Sequence, residues 1–328
     1  MITRIDSNGR NDPNNQYDLN TRMKTLIITF SQTGNTRRVA GEIRQGILAV
    51  VKNCELIELK EVDPASLKTY DLVGIGCPVF YYQEPLNVKE FIGQLPQLGG
   101  QPWFVFCTHG AIMGITLQSL SESLERKGAR VIGCHDTYAG ATLPFYPYPM
   151  LTAGHPDETD LEEARIFGRS VAERCRLLSE GENVPLRSPP AVPQEWHINA
   201  AKFTPEFVKR IFPELAINTS LCSRCHECQS GCPVDGIDID LEPPRIQNPC
   251  IHCWNCVNIC PEAAIEADWS GQVKLAPKLL ERYRYWLNAA AAQEKFRWRI
   301  DPESIDFENP YYLQRRRAVA GKGSSSKK

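Results

Sequence analysis

Short apolar runs alternate with helical patterns along the first half of the chain. Five such runs predict strands and four patterns predict helices: strands at Thr25–Phe30, Glu55–Leu59, Leu72–Gly76, Trp103–Cys107 and Arg130–Tyr138, and helices at Thr36–Val51, Leu86–Leu95, Ile115–Lys127 and Glu158–Leu178. Alternation of buried strands with helices indicates a parallel sheet that is covered on both faces. We therefore predict an α/β fold with a doubly wound, five-stranded parallel sheet over residues 23–180.

The pattern changes on either side of this region. Residues 1–22 are rich in asparagine and nearly free of apolar side chains, so we expect a flexible extension. Residues 181–215 begin with closely spaced prolines, Pro185, Pro189, Pro190 and Pro193, which disfavour helix and central strand. This segment is predicted to be a linker to a second, smaller domain.

Eight of the 13 cysteines lie between Cys222 and Cys260, and they form two copies of one pattern. Each copy reads C-x2-C-x2-C-x3-C-P, and Pro233 and Pro261 follow the last cysteines. This spacing is typical of bacterial iron–sulfur proteins. Zinc also binds C-x2-C pairs, but it needs neither a third cysteine at the same spacing nor a fourth before proline. We therefore expect iron–sulfur clusters here rather than zinc.

Residues 216–270 resemble the two-cluster ferredoxins, a small α+β domain, in these two runs. The resemblance implies two [4Fe–4S] clusters, each taking three cysteines from one run and the last cysteine of the other. The implied ligand sets are Cys222, Cys225, Cys228 and Cys260 for one cluster, and Cys250, Cys253, Cys256 and Cys232 for the other.

The first predicted strand leads into a loop rich in small polar residues: Ser31, Gln32, Thr33, Gly34, Asn35 and Thr36. A strand, a tight turn and a helix N-terminus bring backbone N–H groups and hydroxyls around one point, which suits a phosphate. Arg37 and Arg38 follow in the first helical turn, where they oppose the helix dipole unless an anion is bound. The chain has neither a Walker loop nor a G-x-G-x-x-G after a strand, so ATP and NAD are not indicated.

This loop resembles the [ST]-x-T-G-x-T phosphate loop of the flavodoxin family, although an ordinary Thr-capped helix start is the simpler alternative. The resemblance implies FMN, bound at the carboxyl ends of the strands of a sheet of order 2-1-3-4-5. The other implied contacts are in the loops after the third and fourth strands: Pro78, Val79, Phe80, Tyr81, Thr108, His109 and Gly110. Tyr81 or Phe80 is the candidate for stacking on the flavin, and core packing is the alternative for either ring.

Charge is uneven along the chain although the total is nearly balanced, with 37 Lys+Arg and 39 Asp+Glu. The total gives no reason to expect nucleic acid or an anionic membrane as partner. Residues 216–270 hold two basic and eight acidic residues, whereas residues 271–328 hold 13 basic and six acidic ones. We predict a basic tail with a helix over Pro277–Trp298 and a disordered end from Gly321. Packing within the chain is favoured for this tail, with an acidic partner as the alternative.

No apolar segment is long enough for a membrane span or a secretory signal, so we expect a protein of the reducing cytoplasm. As a whole, residues 24–270 resemble the fused flavodoxin–ferredoxin, or ferrodoxin, proteins. The resemblance implies electron transfer between two [4Fe–4S] clusters and FMN, linking one- and two-electron carriers with redox partner proteins. We expect an electron carrier without catalytic side chains. The alternatives are a flavin-dependent reductase of a small molecule that the clusters supply with electrons, and a scaffold with structural clusters.

Overall fold

A parallel sheet flanked by helices occupies the N-terminal half of the computed structural model, which describes residues 22–185, 188–247 and 249–325. Within these residues the sheet has five strands in the order β2-β1-β3-β4-β5. Its elements are β1 (Lys24–Thr29), α1 (Asn35–Leu48), β2 (Asn53–Glu58), β3 (Leu72–Pro78), α2 (Leu86–Gln94), β4 (Pro102–His109), α3 (Thr116–Arg126), β5 (Arg130–Tyr138) and α4 (Glu158–Ser179). The doubly wound fold predicted from the sequence is confirmed, with boundaries that shift by a few residues. We call this part the sheet domain.

Both faces of the sheet are covered, which explains why the central strands β1, β3 and β4 are buried along nearly their whole length. Leu26 and Ile28 of β1 belong to the apolar cluster under α2 and α3, whereas Ile27 belongs to the cluster under α1 and α4. All three side chains are nearly inaccessible to solvent. Full burial of such a side chain stabilises a fold by about 1.5–3 kcal/mol, so the two clusters fix the register of the strands.

The parallel register brings three loops to one edge of the sheet. Thr29 of β1 pairs with Gly76 of β3, and Pro78 of β3 pairs with Thr108 of β4. A Cβ atom at Gly76 would lie 2.0 Å from the ring of Phe106, so only glycine leaves room for that ring. The loops that follow β1, β3 and β4 are therefore neighbours, as the prediction of a common site requires.

The segment predicted as a linker contains two helices, α5 (Gln194–Lys202) and α6 (Pro205–Ile211). Helix α5 begins directly after Pro193, where the closely spaced prolines end. Thr204 caps α6, because its side-chain oxygen accepts a hydrogen bond from the backbone N–H of Phe207 at 3.2 Å. These helices pack on the loop after β3, so the segment is part of the folded structure.

The cysteine-rich region forms a second, small domain, which we call the cysteine domain. Its elements are β6 (Ala216–Ile217), α7 (Glu227–Ser230), β7 (Ile237–Asp238), β8 (Arg245–Ile246), α8 (Asn255–Ile259) and β9 (Ile265–Glu266). Strands β6 and β9 form one antiparallel pair, and β7 and β8 form another. Each cysteine run thus ends in a short helix, in agreement with the predicted α+β domain.

The basic tail contains α9 (Ser270–Ala291) and α10 (Tyr311–Ser325). The predicted helix over Pro277–Trp298 is wrong at both ends, because α9 begins earlier and accommodates Pro277 in its interior. Burial of Ala276, Leu280 and Leu287 offsets the cost of that proline. Helix α10 continues to Ser325, which shortens the irregular end predicted from Gly321. Among the residues described, no helix is both long enough and apolar enough to cross a bilayer.

The tail returns to the sheet domain after α9 and is fixed there by ion pairs. Arg297 and Arg299 both contact Asp157 at the start of α4, and Arg297 also contacts Asp160. His155 lies beside Asp160, with Nδ1 2.5 Å from its carboxylate. These carboxylates are therefore engaged by arginines. The packing within the chain favoured by the sequence is observed, and the acidic partners of the tail lie in the sheet domain, in α5, in the cysteine domain and in the tail itself.

Candidate functional site

The eight clustered cysteines line two separate cavities in the cysteine domain. Cys222, Cys225, Cys228 and Cys260 line one cavity, and Cys232, Cys250, Cys253 and Cys256 line the other. Each cavity thus combines three cysteines of one run with the proline-flanked cysteine of the other run. The structure brings together the same two crossed sets that the resemblance to two-cluster ferredoxins implies.

The backbone of the two cysteine runs repeats the same unusual conformation. The residues on either side of the middle cysteine have positive φ in both runs: Arg224 at 57° and His226 at 61°, and His252 at 53° and Trp254 at 62°. Non-glycine residues rarely adopt this left-handed region, and such strain persists only where surrounding structure holds it. The repetition indicates that both runs are shaped around the same kind of group.

The last cysteine of each run also receives a hydrogen bond from the backbone. The N–H of Gly236 donates to Sγ of Cys232 at 3.2 Å, and the N–H of Ala264 donates to Sγ of Cys260 at 3.3 Å. In both cases the donor is four residues beyond the cysteine. Such N–H···S bonds stabilise a thiolate, and in iron–sulfur proteins they help to set the reduction potential.

Burial disfavours free thiolates in these cavities. It raises the pKa of Cys228 to about 11 and that of Cys253 to about 12, with further contributions from neighbouring cysteine sulfurs. Deprotonated sulfurs packed together in an apolar setting require a positive group among them. The cavities therefore suit a bound metal centre better than reactive thiols.

The spacing of the sulfurs distinguishes between the metal centres considered from the sequence. With Zn–S bonds of about 2.3 Å, a tetrahedral zinc ion holds its sulfurs about 3.8 Å apart. Within the described residues, no three cysteine sulfurs lie within 4.8 Å of one another. A cubane spreads its four irons over separate corners, so its ligands are farther apart. The residues fit iron–sulfur clusters and not zinc.

The loop after β1 presents an open set of hydrogen-bond donors. Gly34 has φ of +91°, and a Cβ there would meet no atom within 4 Å, so the glycine serves the backbone conformation rather than close packing. Thr33 and Gly34 are exposed. Among the described residues, the backbone N–H groups of residues 32–36 have no hydrogen-bond acceptor. This donor set fits a phosphate group at the start of α1.

The two arginines that follow this loop point elsewhere. Arg37 forms an ion pair with Glu58 at 2.7 Å, and Arg38 donates a hydrogen bond to the carbonyl oxygen of Pro156 at 3.0 Å. Their charges are therefore compensated on the neighbouring strand and loop. A phosphate bound here would depend on the backbone N–H groups and the hydroxyls of the loop.

The last residues of β4, which the sequence placed in the loop after it, are tied into the sheet domain by their side chains. The hydroxyls of Thr36 and Thr108 lie 2.7 Å apart. His109 is buried, with Nδ1 2.7 Å from the carbonyl oxygen of Gly110 and Nε2 3.2 Å from the carboxylate of Asp136. Both ring nitrogens thus have partners within the chain, so a flavin contact from this loop would come from its backbone.

The aromatic residues after β3 lie against the helices between the domains. Tyr81 stacks on Phe203 with ring centroids 5.6 Å apart and planes inclined by 13°. Tyr81 and Tyr82 have φ of 52° and 71°, two consecutive non-glycine residues in the left-handed region. Phe80 meets Phe30 edge to face at 6.0 Å. The sequence reasoning missed Phe203 because it lies in the segment interpreted as linker.

The loops after β1 and β3 contact the second cysteine run directly. The hydroxyl of Tyr81 donates to the carbonyl oxygen of His252 at 3.0 Å, and the side-chain amide of Gln32 donates to the carbonyl oxygen of Cys253. Cys253 also belongs to the apolar cluster that contains Phe30. The cavity lined by Cys253 therefore adjoins the loops for which the sequence predicts FMN.

The five remaining cysteines are structural. They are Cys54, Cys77, Cys107, Cys134 and Cys175, which lie in the sheet domain. Burial raises the pKa of every one of these thiols, so none is poised as a thiolate.

Comparison with known proteins identifies both parts of the chain. A family model for the flavodoxin domain matches residues 26–142, and a model for a 4Fe-4S dicluster domain matches residues 214–262. The flavodoxin of Clostridium saccharobutylicum is 30% identical over 169 residues, which are 48% of this chain and 99% of that protein. The chain belongs to the flavodoxin family. It carries a 4Fe-4S dicluster domain fused behind its flavodoxin domain.

Other similar proteins align with the flavodoxin domain. The flavodoxin of Megasphaera elsdenii is 28% identical over 110 residues, covering 33% of this chain and 80% of that protein. An archaeal flavodoxin structure is 22% identical with a TM-score of 0.39, covering 47% of this chain and 99% of that chain. The solution structure of two-electron reduced M. elsdenii flavodoxin is 24% identical with a TM-score of 0.37, and the match covers 45% of this chain and 98% of that chain.

The two domains define the cofactor classes of the fusion protein. The flavodoxin domain implies FMN, and the dicluster domain implies iron–sulfur clusters. The donor set after β1 and the sulfur cavities of the cysteine domain fit these groups. Together the domains support a role in electron transfer.

Proposed function

We propose that this flavodoxin–ferredoxin fusion passes electrons between two [4Fe–4S] clusters and FMN. The observation that carries the proposal is the contact between the predicted flavin loops and the second cysteine run. Gln32 and Tyr81 each donate a hydrogen bond to the backbone of this run, at Cys253 and His252. Electrons leaving that run would therefore reach the flavin loops without crossing solvent.

In this proposal the two sulfur cavities have different positions in the path. The cavity of Cys232, Cys250, Cys253 and Cys256 would hold the cluster proximal to the flavin. The cavity of Cys222, Cys225, Cys228 and Cys260 would hold the distal cluster. Cys225 is exposed, whereas Cys253 and Cys256 are buried. The distal cluster is therefore the one that an external redox protein would approach, either as donor or as acceptor.

When bound, FMN accepts one or two electrons and each cluster exchanges one, so the assembly would link one- and two-electron carriers. The chain positions and tunes these groups. Backbone N–H groups of Gly236 and Ala264 stabilise the sulfurs of Cys232 and Cys260. Backbone N–H groups of residues 32–36 would bind the flavin phosphate, and burial of the second run would exclude water from the proximal site.

The test is cofactor analysis of protein purified without oxygen, followed by stopped-flow reduction. We expect bound FMN, and iron and sulfide in the amounts that two cubane clusters require. Rapid mixing with a one-electron donor should reduce the clusters first and the flavin afterwards. Absence of FMN after reconstitution with excess FMN, or iron without sulfide, would contradict the proposal.

Matched cysteine variants test the order of the path. In Cys225→Ala the distal cluster should be lost and flavin reduction by a protein donor should slow, while a small chemical donor still reduces the flavin through the proximal cluster. In Cys253→Ala reduction by both donors should slow. Cys134→Ala serves as control, because this cysteine lies in β5, outside both cavities. If Cys225→Ala and Cys253→Ala slowed flavin reduction equally with both donors, the assigned order of distal and proximal clusters would be contradicted.

A further inference from the structure

An arginine of the basic tail contacts the backbone beside one of the two sulfur cavities. The guanidinium of Arg315, on α10, donates a hydrogen bond to the carbonyl oxygen of Cys260. Cys260 is the cysteine of the second run that lines the cavity of the first run. The match to the dicluster family model ends at residue 262, so the arginine comes from a part of the chain outside both matched domains. The proposed relay makes no use of this contact.

Helix α10 is attached to both domains, and these attachments place Arg315. At the start of the helix, the N–H of Tyr311 donates to the carbonyl oxygen of Tyr146, in the loop after β5, at 2.8 Å. Next to Arg315, the side chain of Arg316 forms an ion pair with Glu266 in β9 at 2.7 Å. The helix therefore bridges the sheet domain and the cysteine domain, with Arg315 between the two attachments.

The positive charge of Arg315 is not compensated by an ion pair. Within the described part of the chain, no carboxylate pairs with its guanidinium, and its buried Nε atom has no hydrogen-bond acceptor. Arg224, which lines the same cavity as Cys260, differs in this respect because it is paired with Glu242. Glu262 also lines that cavity but forms no ion pair with Arg315. The charge of Arg315 therefore acts on its surroundings, whatever the sum of the other charges.

A positive charge at this place favours the reduced state of a neighbouring iron–sulfur cluster. Reduction adds one negative charge to a cluster, and net charge is among the factors that set its reduction potential. The carbonyl oxygen and Sγ of one cysteine are at most about 5 Å apart, so the guanidinium lies within the Debye length of about 8–10 Å from this sulfur. Because Arg315 is half-buried, solvent and salt screen its charge less than that of an exposed side chain.

The other sulfur cavity has neutral contacts at the corresponding distance from its sulfurs. Gln32 and Tyr81, which donate to the carbonyl oxygens of Cys253 and His252, carry no charge. Hydrogen bonds of this kind can orient the backbone of a run without adding a charge beside it. The tail therefore distinguishes between two cavities that otherwise repeat the same backbone conformation.

We propose that Arg315 raises the reduction potential of the distal cluster. Arg315 is a positioning residue in this role, because it contacts the backbone of Cys260 and does not line the cavity itself. The inference rests on the proposed function, which assigns this cavity to the distal cluster. The tail would then make the cluster that an external redox protein approaches easier to reduce than the cysteine domain alone would.

Redox titration of the full-length, anaerobically purified protein, followed by electron paramagnetic resonance, tests this role. Arg315→Gln removes the charge and keeps a hydrogen-bond donor, whereas Arg315→Lys keeps the charge. In Arg315→Gln the signal of one of the two clusters should shift to more negative potential, and it should be the signal that remains in Cys253→Ala. In Arg315→Lys both potentials should stay close to those of the wild type. No shift in Arg315→Gln, or an equal shift in Arg315→Lys, would overturn the proposal.

A neighbouring arginine supplies the matched control. Arg317→Gln removes the same charge from the same helix, but Arg317 is exposed and contacts Asn309 instead of the cysteine domain. Its cluster potentials should equal those of the wild type, and a shift as large as that in Arg315→Gln would overturn the proposal.

Iron and sulfide analysis of each variant separates tuning from assembly. If Arg315→Gln does not retain the distal cluster, Arg315→Met, which is also neutral, is titrated in its place. Loss of the distal cluster from both neutral variants would overturn the proposal, because Arg315 would then hold the cluster in place. Wild-type protein without any iron–sulfur signal would contradict the proposed function itself. Wild-type clusters whose potentials are unaltered in Arg315→Gln would contradict this inference alone.

Discussion

The hydroxyl of Tyr81 donates a hydrogen bond to the carbonyl oxygen of His252 at 3.0 Å, and this bond joins the flavodoxin domain to the dicluster domain. The donor lies in a loop held at positive φ, and the acceptor lies beside a cysteine of the second run. Such a contact couples the position of the loop after β3 to the backbone of the second cysteine run.

Removing this hydroxyl should destabilise the fold without disturbing the ring. In Tyr81→Phe we expect the free energy of unfolding to fall by about 1 kcal/mol, because the carbonyl of His252 loses its donor. Stacking on Phe203 is retained. Urea unfolding under anaerobic conditions measures the change. The control is Tyr148→Phe, because Tyr148 is 51% exposed. An equally large loss of unfolding free energy in Tyr148→Phe would contradict a specific contribution of the Tyr81–His252 hydrogen bond.

Two glycines near the phosphate loop should respond to alanine in opposite directions. At Gly34, with φ of +91°, alanine should cost about 1 kcal/mol of stability and weaken FMN binding. At Gly41, inside α1, alanine has the same free space around its Cβ and should stabilise by about 0.5–1 kcal/mol. Urea unfolding and FMN titration check both variants. A stabilising effect at Gly34 would show that the loop does not require the left-handed conformation.

The crossed cysteine sets predict which cluster each substitution removes. Cys260→Ala should remove the cluster that Cys222, Cys225 and Cys228 share, although Cys260 belongs to the other run. Its iron content should fall by about half. Its electron paramagnetic resonance spectrum should match that of Cys225→Ala and differ from that of Cys253→Ala. A match with Cys253→Ala would mean that each run binds its own cluster.

The tail contact at His155 should depend on pH. Burial alone would lower the pKa of His155, but the hydrogen bond with Asp160 and the contact with the Arg297 carbonyl raise it above 6.5. Both ring nitrogens have acceptors, at 2.5 and 2.7 Å, and only the protonated ring can donate from both. Protonated His155 therefore stabilises the folded protein fully at pH values below the pKa that this histidine has in the unfolded chain. This stabilisation is lost as the pH rises through the raised pKa of His155 in the folded protein.

Unfolding of wild type and His155→Gln between about pH 5.5 and 9 tests this dependence around the ordinary histidine pKa. The stability difference should be largest at the acidic end and should shrink as the pH rises. Asp160→Asn should remove the same trend, because it removes the group that favours the protonated ring. A stability difference that grows with pH would contradict the raised pKa of His155.

The sequence predicted the sheet domain well because a strand that is buried on both faces is recognisable as a short apolar run. β1 and β3 each contain a buried apolar run, and each is followed by a recognisable turn. The boundaries were less accurate where a local signal competed with packing. Pro277 indicated a helix start, yet burial of Leu280 and Leu287 allows α9 to begin earlier, at Ser270.

The candidate site could be predicted in its parts but not in its assembly. The cysteine spacing indicated the sulfur sets, and the polar loop after β1 indicated the phosphate donors. The contacts between them depend on tertiary structure: Gln32 and Cys253 are 221 residues apart. Phe203 also escaped prediction, because a single aromatic residue after a proline-rich stretch carries no periodic signal. His109 was predicted from its position in the loop, and its fixation by Asp136 became visible only in the fold.

The crossed lining of the two sulfur cavities also constrains how the protein is made. Because each cavity takes its fourth sulfur from the other run, neither set is complete while the first run alone has left the ribosome. Only three residues separate Cys256, which completes one set, from Cys260, which completes the other. During synthesis, both sets of four cysteines therefore become complete within a few added residues. A chain truncated before Cys250 has neither set complete.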